Sequence, residues 1–408
     1  MTAASLARPW NLRGVSWMAV AHGASDLYSG ILPFVIYYDV ARAGLPAWCQ
    51  GTLAFVWYLT SSIAQPIVGA YGDRRGRWWF LPASVALTAA AISLAPAAGS
   101  IALLSACVVL GGLGSAVMHP EAGRYSTLLG GDRRASAISI FQIGGQVGYG
   151  IGPTIAAVLL AHGGPATVVA MALPGVAAAL GVATVLPGLA RSVGAHAPRA
   201  SQGHDGENAR IDRFAVALLV CSTALRYLTG AAFAYYLPNL LVARGVALTQ
   251  AGVVVTAFLI AAAAGLYLGG AAADRFGHAR VAIAGLVLAV PPLLLALASH
   301  GIVAVAALLA GSVLLSVQNA PGVALAQTLL PRRPGTALGL MNGVAFGIGS
   351  AGVALIGVIV TRAGADVALA VVSIAPLLAA CAYAIVARRT RSGSSGAPLS
   401  RQDTTTRP

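Results

Sequence analysis

Of the 11 acidic residues in the chain, Asp26 stands out because it lies well inside a long apolar run. An ionisable group there is costly to desolvate, which marks it as a functional candidate. His22 comes four residues earlier, so on a helix the two share a face. A carboxyl and an imidazole side by side can bind and release a proton, because burial and mutual charge govern when each ionises. The competing readings are structural: a neutral acid bonded to a neighbouring helix, and a histidine satisfied by packing.

Other residues in apolar runs carry matching chemistry. Arg226 falls 200 residues after Asp26, and a guanidinium forks onto phosphate-like oxygens, so it suits an anionic substrate. Gln142 and Gln146 are spaced i,i+4, as are Tyr235 and Asn239. Their amides and phenol can bind a substrate or serve equally as bonds between helices. In "MHPEAGRYS" at 118–126, Glu121 and Arg124 are spaced to pair on one helical face, with His119 beside them as a titratable group. That cluster reads either as a salt bridge at a helix end or as a gate with a proton relay. It lacks the HExxH spacing of a zinc site, and no metal or cofactor is expected. A phosphate loop, a nucleophile triad and paired carboxylates are all missing from the sequence, which points away from an enzyme and from ATP as the energy source.

The elements that must position these residues follow from composition. Apolar residues make up 58% of the chain and charged ones 9%, and the mean hydropathy is +0.81; this is the composition of a polytopic membrane protein. A helix needs about 20 apolar residues to cross the hydrocarbon. Such runs predict an all-α integral membrane protein with twelve transmembrane helices, centred within 15–38, 48–71, 79–97, 100–119, 135–161, 165–187, 214–241, 249–272, 281–299, 301–328, 336–360 and 367–387. Cys49, Cys107, Cys221 and Cys381 are scattered without metal-like spacing and read as packing residues.

The net charge of +14 contains no lysine. Its arginines follow the even-numbered runs, for example Arg74, Arg75 and Arg77 after the second and Arg388 and Arg389 after the twelfth. The opposite turns carry only Arg42, Arg244 and Arg362. This bias predicts both termini in the cytoplasm, with the charge facing anionic lipid rather than nucleic acid.

The chain also repeats itself. "GAYGDRRGRWW" at 69–79 is echoed by "GGAAADRFGHAR" at 269–280, with Asp73 and Asp274 201 residues apart. Arg42 and Arg244 share an offset of 202, and "GGQVGYGIGP" at 144–153 is echoed by "FGIGSAG" at 346–352. The chain therefore divides into a short N-terminal segment (1–13), two pseudo-symmetric six-helix halves (14–189 and 214–388), a polar linker between them (190–213) and a tail (389–408) expected to be disordered.

Two parallel six-helix halves, with G-x-x-x-D-R-x-G-R after the second helix, resemble the major facilitator superfamily. "AHGASDLYSGILP", "SSIAQPIVGAYGDRRGR", "VMHPEAGRYS", "SIFQIGGQVGYGIGP" and "LMNGVAFGIGSAG" resemble, in order, segments of its fosmidomycin-resistance subfamily of drug exporters. The resemblance implies a secondary active transporter in the inner membrane, monomeric by family default, in which the first helices of the two halves face each other across a central cavity. It implies that Asp73, Arg74 and Arg77, with Gly69 and Gly76 shaping the turn, belong to an inside gate. Asp274 and Arg275 are the second copy, weakened because His278 and Ala279 replace a basic pair. Glycine-rich packing at Gly148, Gly152 and Pro153 resembles the antiporter-associated motif. The expectation is a proton-coupled exporter of a small drug-like or anionic molecule, with Asp26 and His22 handling the proton and Arg226, Gln142, Tyr235 and Asn239 touching substrate. A proton symporter that imports a metabolite would use the same helices; a membrane sensor or enzyme would need a domain or reactive cluster that the sequence lacks.

Overall fold

The computed structural model describes residues 10–65, 67, 77–194, 212–330 and 334–394. These residues are almost wholly helical. We number the membrane-crossing elements α1 to α12. The first half comprises α1 (Leu12–Arg42), α2 (Ala47–Tyr58, continuing as a π turn over Leu59–Ile63), α3 (Phe80–Leu94), α4 (Ile101–Leu129), α5 (Arg134–Val169) and α6 (Ala172–Gly194). The second comprises α7 (Arg213–Ala243), α8 (Leu248–Phe276), α9 (His278–Ala298) and α10 (Gly301–Ser316 and Asn319–Leu329). It ends with α11 (Pro334–Gly339, a π turn at Leu340–Val344, then Ala345–Ala363) and α12 (Ala365–Ser394).

Each expected run corresponds to one of these elements, and most helices outlast the apolar run that predicts them. Helix α6 reaches Gly194 and α12 reaches Ser394, so both enter stretches read from sequence as linker and tail. A helix continues as long as its backbone bonds are satisfied, and water permits that as well as lipid does. Helix α5 bends at Gly164, whose φ of 65° is open to glycine and strained for other residues. Large apolar side chains such as Tyr267, Ile302 and Leu355 point outward, as expected where the surrounding solvent is lipid.

The repeat is visible in three dimensions. Arg42 donates to the carbonyl of Pro96 at the end of α3, and Arg244 donates to the carbonyls of Leu297 and Ser299 at the end of α9. Each half thus closes the turn after its first helix in the same way. The halves lock together at the ends of the helices remote from the chain termini. There, the Trp48 amide donates to Thr361 Oγ1 at 3.0 Å, Thr154 Oγ1 donates to Thr256 Oγ1 at 2.8 Å, and Gln50 Nε2 donates to the Tyr235 carbonyl at 2.8 Å.

Candidate functional site

Helices α1 and α5 approach unusually closely because glycines face each other along the seam. A Cβ on Gly148 would overlap the carbonyl oxygen of Gly23, and one on Gly145 would overlap the ring of His22. The space left at Gly145 is therefore what admits the imidazole. His22 stacks on Phe141 with ring centroids 4.0 Å apart, and its Nδ1 lies 2.8 Å from the Phe141 carbonyl oxygen. Both ring contacts come from α5, so α5 holds the histidine in one orientation.

Asp26, one turn further along α1, receives two imidazoles. His22 Nε2 is 3.1 Å from its Oδ2, and His119 Nε2, from α4, is 3.4 Å from its Oδ1. His119 is held in turn by its own helix, its Nδ1 2.9 Å from the Ser115 carbonyl oxygen. The two imidazoles meet edge to face, with centroids 5.0 Å apart. The donor atoms of the three side chains all lie within 4.8 Å of one another. Sequence reasoning grouped His119 with Glu121 and Arg124; the structure moves it into the Asp26 cluster. No sequence spacing could have signalled this, because the contact joins helices 93 residues apart.

Asp26 and His119 open onto a cavity of about 430 Å³ between the halves. The first half also contributes Ser61, Ser62, Gln142, Gln146 and Tyr149, and the second contributes Arg226, Tyr227, Ser316, Asn319 and Phe346. Trp57, Tyr58 and Phe346 give it an aromatic wall, with the Tyr58 and Phe346 rings 5.0 Å apart edge to face. The two π turns, in α2 and α11, adjoin each other beside this wall. Such turns break the regular ladder and recur at functional sites.

Arg226 is 6% exposed, and its Nε and Nη2 have no hydrogen-bond partner. Its guanidinium lies over the ring of Tyr227, 3.7 Å from the centroid. Among the described residues no ion pair joins it to Asp26. The position matching Asp26 in the second half is Tyr227, 201 residues on, which turns Arg226 about 100° away from direct opposition. Tyr227 accepts from Asn319 Nδ2 at 3.4 Å, while Gln318 Nε2 donates to Thr223 Oγ1 at 3.4 Å.

The other sequence candidates separate clearly. Gln142 lines the cavity. Tyr235 and Asn239 do not: Tyr235 is 1% exposed, its ring packs edge to face on Tyr58, and its carbonyl accepts from Gln50 in the sealed region. They lie roughly two and a half and three and a half turns past Arg226, where the halves already touch. Glu121 and Arg124 form the expected i,i+3 pair at 3.0 Å, with Glu121 buried. Asp274 and Arg275 are exposed at the end of α8, with Arg275 lying over Phe276; Asp274 makes no ion pair among the described residues. Gly69, Asp73, Arg74 and Gly76 lie outside the described residues, and Arg77 is exposed just before α3. A Cβ on Gly152 would stand 2.5 Å from the Gly30 carbonyl carbon, and the Pro153 carbonyl lies against α8 at Gly252. Asp39, a second buried acid, sits near the other end of α1, 3.7 Å from Arg42; the sequence reading passed over it because it borders a turn.

The chain is similar to known proteins in sequence and fold. The profile of the Major Facilitator Superfamily matches residues 18–215 and 219–407. The fosmidomycin resistance protein of Escherichia coli is 32% identical over 365 residues, covering 88% of this chain and 89% of that one. The uncharacterised MFS-type transporter YfnC of Bacillus subtilis is 30% identical over 376 residues, covering 90% and 91%. Among solved structures, a bacterial homologue of the human lysosomal transporter Spinster, inward-facing and occupied, superposes with a TM-score of 0.75 at 16% identity. That match covers 93% of this chain and 97% of the other, and shows the shared fold. With a profile match along nearly its whole length and two full-length relatives at 30% identity or above, the chain belongs to the major facilitator superfamily.

Proposed function

We propose that this transporter exports a small anionic molecule of the phosphonate kind in exchange for protons, through alternating access of the cavity between its halves. The observation that carries the reading is the coexistence, in one cavity, of a buried guanidinium with free N–H groups and a carboxylate clasped by two imidazoles. The first suits an oxyanion, and the second suits a proton. The relative named for fosmidomycin resistance favours export. The arginine bias of the turns favours an inner-membrane orientation with both termini in the cytoplasm. A tenfold gradient costs about 1.4 kcal/mol, and one charge crossing 100 mV releases about 2.3 kcal/mol, so one or two protons suffice to drive it.

The same two charges also favour a second reading. An anion on Arg226 makes protonation of the Asp26 cluster easier, and by reciprocity the protons tighten the anion. Positive linkage of this kind suits transport in the same direction, whereas exchange requires a substrate that displaces the protons by reaching the carboxylate itself.

Inverted vesicles with an acid lumen distinguish the two. Fosmidomycin added outside should raise the luminal pH under exchange and lower it further under symport. Asp26→Asn should abolish either change. A full response in that variant overturns the assignment of the proton to Asp26.

A further inference from the structure

The hydrogen bonds around Asp26 fix how many protons its cluster can hold. A carbonyl oxygen only accepts. His22 Nδ1, facing the Phe141 carbonyl at 2.8 Å, and His119 Nδ1, facing the Ser115 carbonyl at 2.9 Å, must therefore each carry hydrogen. In a neutral imidazole that leaves Nε2 as a bare lone pair. Yet both Nε2 atoms point at the carboxylate, one at each oxygen, at 3.1 Å and 3.4 Å. A lone pair against a carboxylate oxygen repels; each contact becomes a hydrogen bond only when a proton lies on that line, held by the imidazole or by the carboxyl group. There are two such lines.

We propose that His22, Asp26 and His119 form a store for two exchangeable protons, with His119 as the second loading position. Loaded, the cluster has a net charge of +1; with one proton it is neutral; emptied, it is −1. The groups facing it act on this sequence. Arg226 and Tyr227 face it from α7 across the cavity, Tyr58 from α2 and Tyr149 from α5. On α4, Glu121 is engaged by Arg124. Helix α3 carries no titratable side chain, and the charged residue of α6, Arg191, sits near its end. Arg226 lines the same cavity as a permanent cation. His119, less buried than His22, is the position nearer the cavity and unloads first.

The store stands on geometry, and its use in transport rests on the proton-coupled reading above; the two are tested separately. The full chain, labelled with ¹⁵N-histidine and held in lipid nanodiscs, is followed by NMR from about pH 9 to about pH 5. His22→Gln and His119→Gln assign the resonances, and each variant is used only if it unfolds at the wild-type temperature. The expected result is Nδ1–H on both residues throughout, with Nε2 of each gaining a proton in two separate steps. A bare Nδ1 on either histidine, or an Nε2 still bare at the acid end, overturns the store; so do Nε2 atoms that respond to added Zn²⁺ but not to acid, which would make the cluster a metal site.

In proteoliposomes with fosmidomycin as the probe, the pH gradient that nulls net flux gives the proton count. It should fall from two in the wild type to one in His119→Gln. A wild-type count of one, or an unchanged count of two in His119→Gln, overturns His119 as the second position. Two titrating histidines with no fosmidomycin-linked flux would support the store and overturn the drug reading alone.

Discussion

In the first half, Asp26 of α1 meets His119 of α4 at 3.4 Å; in the second, Tyr227 of α7 meets Asn319 of α10 at 3.4 Å. The paired residues are 201 and 200 positions apart, and His22 likewise corresponds to Thr223. The backbone setting is also duplicated. A Cβ on Gly148 would collide with α1 at Gly23, and one on Gly349 would collide with α7 at Ala224. Duplication therefore produced two equivalent polar nodes facing one cavity, and only one was filled with groups that change charge. The other is neutral, with Arg226 one residue off register as a permanent cation. On the function proposed above, this is a division of labour: the first half takes up protons, and the second holds the anion at a charge that does not vary with pH.

The largest effect that could break this comparison lies at its centre. If the nodes differ as argued, Asp26→Asn eliminates proton-coupled flux. Tyr227→Phe, which removes the hydroxyl that accepts from Asn319 and introduces no charge, should leave coupling intact and alter apparent substrate affinity by no more than about tenfold. Equal losses from the two substitutions would mean that the nodes work as one unit. Next in size is Arg226→Gln. Losing charge-assisted bonds worth about 1.5–3 kcal/mol should weaken the binding of an anionic ligand by about ten- to a hundredfold in a tryptophan-quenching or calorimetric titration. Arg226→Lys should recover part of that affinity, because an ammonium keeps the charge and loses the fork. Unchanged binding in Arg226→Gln would remove the anion from the second half.

How much of this was legible in the sequence depends on the range of the interaction. The twelve spans, the repeat, the Glu121–Arg124 pair and the closeness of His22 to Asp26 were legible, because each is written in local spacing or in a fixed offset. His119 was visible as a titratable residue but not as a partner of Asp26, since a contact between α1 and α4 leaves no periodic trace. Tyr235 and Asn239 lie beyond the cavity along α7, a depth that residue spacing does not encode. Periodicity tells which side of a helix points inward, and only the packing of α2 and α11 shows where along α7 the cavity stops.

The seams provide a smaller test, of whether the halves share one packing logic. Gly148→Ala and Gly349→Ala should each destabilise the protein by about 1–3 kcal/mol through overpacking, whereas Gly123→Ala, with open space around it, should stay within about 0.5 kcal/mol. Thermal unfolding in detergent would read these as two clear decreases and one unchanged midpoint. A loss confined to Gly148 would show that the α1–α5 seam alone is constrained, and that the symmetry of the nodes does not extend to their support.

The smallest effect reverses the comparison. At the start of each half a side chain caps the first helix: Asn11 Oδ1 accepts from the Gly14 amide at 2.8 Å, and Asp212 Oδ1, 201 residues on, accepts from the Ala215 amide at 3.0 Å. Here the second half holds the titratable group. The Ala215 amide first, and then Arg389, whose Nε is 3.1 Å from Oδ2, hold the Asp212 carboxyl below its ordinary range. A carboxylate depressed in the folded state adds stability above its unfolded pKa, and that contribution is lost as the pH falls through the folded value. The wild type should therefore lose a small increment of thermal stability on acidification below about pH 4, and Asp212→Asn, which keeps an Asn cap like that of the first half, should lack that increment. Because the pair is exposed, added salt should shrink the difference between the two proteins. An acid-induced loss of the same size in Asp212→Asn would place the responsible carboxylate elsewhere. The caps would then be interchangeable, and the charge asymmetry between the halves would belong to the cavity alone.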